Sequence, residues 1–161
     1  MIENTYTTDD LVERLGLLRK YYDKVLFTDA ADATVRSILE GECDERTLAL
    51  LETWAATFEK QKIQPLVVYE ALDTVQEDMA GVPAVTLYVP VRFTVEQVEQ
   101  LGSWFRENVQ PNVLLSLHID PRTTGGCAFI WNDVYHNYSL RYYIDKRRDE
   151  ITEVFNKYTH A

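Results

Sequence analysis

The chain has 161 residues, enough for one domain or two small ones, and is 46% hydrophobic and 26% charged. That balance is ordinary for a globular protein and excludes collagen-like, disordered and disulfide-scaffold classes. Sixteen Lys and Arg stand against 26 Asp and Glu, a net charge of −10, which argues against nucleic acid because a phosphate backbone is held by concentrated positive charge.

The two cysteines, Cys43 and Cys127, match no metal or redox spacing. No signal peptide is evident, and a reducing, cytoplasmic compartment is the expectation. No apolar run approaches the roughly 18 to 20 residues that cross a bilayer, so membrane association has to pass through a partner. The charge is uneven: residues 1–80 carry 17 acidic and 8 basic side chains, and residues 81–161 carry 9 and 8. The hydrophobic period changes at the same place, from 3.6 before Ala80-Gly81-Val82-Pro83 to 2 after it. An α+β protein is predicted, with an antiparallel helical bundle over 1–80 and a small mixed-sheet α/β domain over 81–161.

In the first half, Thr8 is placed to cap a helix whose acidic first turn, Asp9 and Asp10, suits the positive end of the helix dipole. Its apolar stripe is Leu11, Leu15, Leu18, Tyr22 and Val25. A second helix is predicted from about Thr28 to Glu40, with Val35, Ile38 and Leu39 inward and Gly41 ending it in a left-handed conformation. Asp44 caps a third helix carrying Leu48, Leu51, Ala55 and Phe58, and Pro65 opens a fourth with Val68, Leu72, Val75 and Met79. Such stripes are ordinarily core. An interaction role falls instead in a groove between helices, where an acidic bundle attracts a basic amphipathic helix.

After Pro83, Val85, Leu87, Val89 and Val91 alternate with polar residues as a half-buried strand, and Pro90 marks an edge or an end. Thr94 and Gln97 form a capping box for a helix with Val95, Val98, Leu101, Trp104 and Phe105 on its inner face. Val113, Leu115, Leu117 and Ile119 make a second strand. Cys127–Trp131 and Val134–His136 form a hairpin about Asn132-Asp133. A long final helix is predicted from about Tyr138 to Tyr158, its stripe of Leu140, Ile144, Ile151, Val154 and Phe155 crossed by the charged run Lys146 to Glu150. Part of that helix is therefore free to meet another protein.

Chemistry finds little support in the residues. His118, His136, His160 and Cys127 lack the spacing of three or four converging metal ligands, so no metal site is expected, and neither cysteine sits in a nucleophile elbow. Gly125-Gly126 opens a strand through Cys-Ala-Phe-Ile-Trp, whereas a P-loop continues with Lys and Ser or Thr into a helix. The doublet reads as a conformational feature, with positive φ angles and close backbone approach.

Three segments of the second half carry a resemblance. Phe93-Thr94-Val95-Glu96-Gln97 after a strand is similar to the start of the C-terminal-domain helix in the delta subunit of F-type ATP synthase, called OSCP in mitochondria. Leu117-His118-Ile119-Asp120-Pro121-Arg122-Thr123-Thr124-Gly125-Gly126 resembles that family's Val-Asp-Pro-Ser-Leu-Ile-Gly-Gly segment. Asn137-Tyr138-Ser139-Leu140 falls where the family has Asp-Gly-Ser-Leu or Val. Asn137 in place of Asp keeps an acceptor but lacks the charge, and Tyr138 replaces a glycine. The family's N-terminal domain has six helices where about four fit here, which implies a shortened bundle.

The resemblance implies a non-catalytic stator subunit without cofactors. The bundle would hold the N-terminal helix of subunit alpha, and the final helix, through Ile151, Val154 and Phe155, the C-terminal end of subunit b. It also implies a place at the inner face of the cell membrane through the complex. The E subunit of V-type and archaeal ATPases shares the Gly-Gly strand and an Asn-x-Ser/Thr-Leu helix start but begins with a long coiled coil, and this chain has no sustained heptads. A small cytosolic enzyme using Cys43, Cys127 or a carboxylate pair in a cleft between the halves, and a general two-domain adaptor, are the alternatives from other classes.

Overall fold

The computed structural model describes residues 4–28, 33–77 and 81–159. The polypeptide divides into two compact units, with the boundary between Pro83 and Ala84. It is a mixed α/β protein with seven helices and one four-stranded mixed sheet among the described residues.

The first unit contains α1 (Thr8–Phe27), α2 (Val35–Leu39), α3 (Glu45–Lys60) and α4 (Pro65–Glu77). The α1 helix lies against α4, α2 and α3, and α2 lies against α3. Burial follows the 3.6-residue stripes: Leu11, Leu15, Leu18 and Tyr22 of α1, Leu48, Leu51 and Ala55 of α3, and Val68 and Leu72 of α4 are removed from water. Each buried Leu or Val among them contributes about 1.5 to 3 kcal/mol of transfer free energy.

Several details differ from the sequence expectation. The α1 cap is Thr7, whose hydroxyl accepts from Asp10 N–H, because Thr7 is extended while Thr8 already has helical geometry. The second helix is only five residues long, capped by Thr34 through Ser37 N–H, and positions 29–32 of the predicted span lie outside the described residues. Gly41 does take φ +83° behind it. Trp54 joins the core, and Val75 is exposed. Met79 lies outside the described residues.

The second unit contains β1 (Ala84–Val89), α5 (Val95–Asn108), β2 (Leu114–Ile119), β3 (Ala128–Trp131), β4 (Val134–Asn137), α6 (Leu140–Lys146) and α7 (Arg148–Thr159). Strand order is β2-β1-β3-β4. The β1 and β2 strands are parallel with Leu87 opposite Leu117, which requires a crossover such as α5. The β1 strand pairs antiparallel with β3, Leu87 opposite Phe129, and β3 with β4, Phe129 opposite His136. The hairpin turns through Asn132 (φ +48°) and Asp133 (φ +61°), the two left-handed residues of a type I′ turn whose twist matches the strands.

The pleat sends Val85, Leu87, Val113 and Leu115 to one face, where Phe105 of α5 closes the core and Leu101, Leu117, Phe129 and Trp131 border it. Phe105 and Phe129 meet edge to face at 6.5 Å between ring centres. The α5 helix opens with the expected capping box: Gln97 N–H donates to Thr94 Oγ1 at 3.4 Å and Thr94 N–H to Gln97 Oε1 at 2.9 Å. Val95 and Trp104, expected inward, are exposed. Phe105 and Trp104 are adjacent on a helix and cannot share a face, so Trp104 packs its ring edge to face beside Phe105 at 5.2 Å. Val91 falls beyond the strand end, and Ile119 is exposed at the end of β2.

The predicted long final helix is two. Arg147 sits at φ −112°, ψ 21°, and its N–H divides between Tyr143 O and Ile144 O at 3.2 Å each. Lys146 stands at the negative end of the α6 dipole, and Asp149 and Glu150 stand at the positive end of a new one in α7. That charge order stabilises two dipoles in series better than one uninterrupted helix.

Leu115→Ala is expected to cost about 2 to 5 kcal/mol of unfolding free energy, and Val95→Ala less than about 0.5 kcal/mol. Urea midpoints of the two variants check this, and comparable losses would contradict the inner face assigned to α5.

Candidate functional site

The glycine doublet is a contact between two distant stretches of chain. Gly125 (φ +65°) and Gly126 (φ +76°) both occupy the left-handed region. A Cβ at Gly126 would run into the Tyr138 carbonyl oxygen, and one at Gly125 would lie 3.3 Å from Leu140 Cβ. Tyr138 N–H donates to Cys127 O at 2.9 Å, and Leu140 N–H to Gly125 O at 3.0 Å. The doublet therefore holds the strand entry against the start of α6.

That start is built by two residues with separate tasks. Asn137 Oδ1 accepts from Ser139 N–H at 3.0 Å, and Ser139 Oγ accepts from Tyr142 N–H at 3.2 Å. Ser139 is thus the cap, and Asn137 orients it through an Asx turn. The acceptor that Asn137 keeps in place of Asp therefore serves Ser139 N–H, two residues ahead of the helical N–H groups.

The turn after β2 reaches the same region. Asp120 N–H donates to Val89 O at 2.9 Å, tying the turn to the end of β1. The Asp120 carboxylate accepts from Arg122 Nε at 3.0 Å and from Arg122 N–H at 3.0 Å. The Arg122 guanidinium, followed by its backbone N–H, holds the Asp120 carboxyl below its ordinary value. Pro121 is exposed in this turn.

A cleft of about 380 Å³ is lined by Asp120, Arg122 and Thr123 from the turn, Tyr135 and Asn137 from β4, and Ser139, Arg141, Tyr142 and Asp145 at α6. The structure thus brings together Asp120, Asn137 and Ser139, with Gly125, Gly126 and Leu140 forming the adjoining junction. Thr94 and Gln97 serve the start of α5 and do not line the cleft. Arg122, Tyr135, Arg141, Tyr142 and Asp145 were not singled out from sequence, although the Arg141–Asp145 spacing of four is a legible helix pair.

Along α6 and α7 an apolar set stays open to water. Leu140, Ile144, Val154 (54%) and Phe155 (66%) are exposed, and Ile151 is partly covered. In the first unit a second cleft, of about 390 Å³, is lined by Tyr21, Ala33, Ala55, Ala56, Glu52 and Glu59 among others. Its Glu52 is engaged by Arg36, which also holds Glu45.

The two thiols are partly buried and unlinked, and burial pushes both up from the ordinary cysteine value, the reverse of an activated nucleophile. Among the described residues no group of three or more His, Cys, Asp or Glu could hold a metal ion. His118 is exposed and stacks on Tyr88 at 5.5 Å, His136 stacks on Phe129 at 4.8 Å, and His160 lies outside the described residues. No described helix is long and apolar enough to cross a membrane. No family model and no curated protein matches the chain.

Gly126→Ala is expected to destabilise by more than the about 1 to 2 kcal/mol of a left-handed alanine, whereas Gly16→Ala, within α1 and in open space, is expected to stabilise by about 0.5 to 1 kcal/mol. Thermal melts of both check the junction. Because the folded Asp120 carboxyl is depressed, its stabilising contribution is present above the unfolded value and lost as pH falls through the folded one. In Arg122→Gln the Asp120 carboxyl should titrate at higher pH than in the parent, followed by carboxyl carbon NMR; an unmoved midpoint would refute the assigned cause.

Proposed function

We propose that this chain is a peripheral-stalk subunit of a proton-translocating F-type ATP synthase, of the delta or OSCP kind. In this reading residues 1–80 form an antiparallel helical bundle that holds the N-terminal helix of subunit alpha. Residues 81–161 form the C-terminal domain that holds the C-terminal end of subunit b, and the protein lies at the inner face of the cell membrane through the complex. The observation that carries the reading is the junction in which Gly125-Gly126 is pressed against Tyr138 and Ser139. Two of the three segments that resemble the family, with ten residues of chain between them, meet there as one structural unit.

The physics of such a subunit is grip. A stator resists torque from the rotor, so its contacts have to outlast many catalytic cycles, and affinity of this sort comes from apolar anchors surrounded by a polar rim. Val154 and Phe155 are exposed apolar anchors on α7, flanked by Glu153, Asn156 and Lys157. The acidic first half, with net −9 from the 17 acidic and 8 basic side chains of residues 1–80, suits a basic amphipathic helix and makes association depend on ionic strength.

Expression with the cognate alpha and b subunits tests the proposal. The intact chain should co-purify with both. The double variant Val154→Ala/Phe155→Ala should lose b by tenfold or more and retain alpha. A peptide from the alpha N-terminus should bind the full chain at low salt and weaken as salt rises. Absence of alpha binding at low salt, or b binding indifferent to the double variant, would remove the corresponding half of the assignment.

A further inference from the structure

We infer that the cleft between the Asp120 turn, β4 and α6 receives the free C-terminal carboxylate of a partner polypeptide. The inference rests on the docking reading only for the partner's identity; the chemistry of the ligand stands on the cleft itself.

The cleft offers more donors than its own residues use. Thr123 is 8% exposed and brings a hydroxyl to the lining. Asn137 gives its oxygen to Ser139 N–H, which leaves the amide NH₂ as a pair of donors. The two cations of the lining differ sharply. Arg122 is committed to Asp120 through two side-chain contacts of 3.0 and 3.4 Å. Arg141 is paired loosely with Asp145 at 3.8 Å, with both partners about two-thirds exposed. Lys146 lies over the Tyr142 ring at 5.9 Å and adds a further positive charge at that wall. Arg141 is therefore the guanidinium an incoming oxyanion can take over, and the fork geometry of arginine favours a planar carboxylate.

A chain terminus fits better than a free anion because it presents a carboxylate and, one residue back, an amide N–H. Once Arg141 turns to the ligand, Asp145 is released to accept that N–H, so the exchange leaves no charge without a partner. Tyr135 and Tyr142 supply aromatic walls for the final side chain. Binding of this type is the capture of a carboxylate among convergent donors.

The test titrates the full chain at low salt with the tetrapeptide acetyl-Ala-Leu-Ala-Val as free acid and as C-terminal amide, with acetate and inorganic phosphate as further arms. Binding is read by amide NMR signals of Thr123, Asn137 and Tyr142. The free acid should bind at least tenfold more tightly than the amide and more tightly than acetate. Arg141→Gln, at an exposed position, should lose at least tenfold with its melting curve unchanged, and Thr123→Val should lose severalfold. Equal binding of acid and amide, an unaffected Arg141→Gln variant, or phosphate binding tighter than the acid peptide overturns the inference. Peptide selectivity with no co-purification of b would leave the cleft standing and remove the stator partner; the opposite result would do the reverse.

Discussion

The second unit depends on one close approach, that of the Gly126 backbone to the Tyr138 carbonyl. A side chain cannot occupy that space, so the entry to β3 and the start of α6 meet main chain to main chain. The hydrogen bonds from Tyr138 N–H to Cys127 O and from Leu140 N–H to Gly125 O then fix the α6 start relative to the sheet. With this junction set, Ser139 is placed to cap α6, and Asn137 and Tyr135 of β4 face the Asp120 turn across a cleft. The conformational freedom of two glycines is thus converted into the position of a helix and of everything it carries.

The first unit is governed differently. Its helices are amphipathic and marginal alone, since short helices in water gain little beyond their nucleation cost. Burial of the leucine stripes of α1 and α3 provides the stability that isolated helices lack. The charged groups outside this core, such as Arg36 with Glu45 and Glu52 or Arg19 with Asp73, are exposed ion pairs. They contribute little to stability in water but set the electrostatic character a partner meets.

Much of this arrangement was legible beforehand. The leucines of α1 and α3, the Asp44 cap, Pro65 at the start of α4, the Thr94–Gln97 capping box and the Asn132-Asp133 turn all depend on residues within a few positions of one another, and all took the expected places. What was missed depends on neighbours distant in sequence. Trp104 and Val95 belonged to a plausible stripe, yet of α5 it is Phe105 and Leu101 that reach the sheet core, while Trp104 and Val95 are exposed. The final helix breaks at Arg147, where two dipoles with their own charged ends replace one.

The sequence by itself determined which segments are helix and which are strand, because hydrophobic period, caps and turn residues act over distances of one or two turns. It also determined the acidic surface of the first half, which follows from composition alone. Tertiary structure alone decided that Thr123, Asn137, Tyr135 and Arg141 share a cleft. Those relations come from strand order and from the placement of α6 by the glycine junction, and no local spacing encodes either.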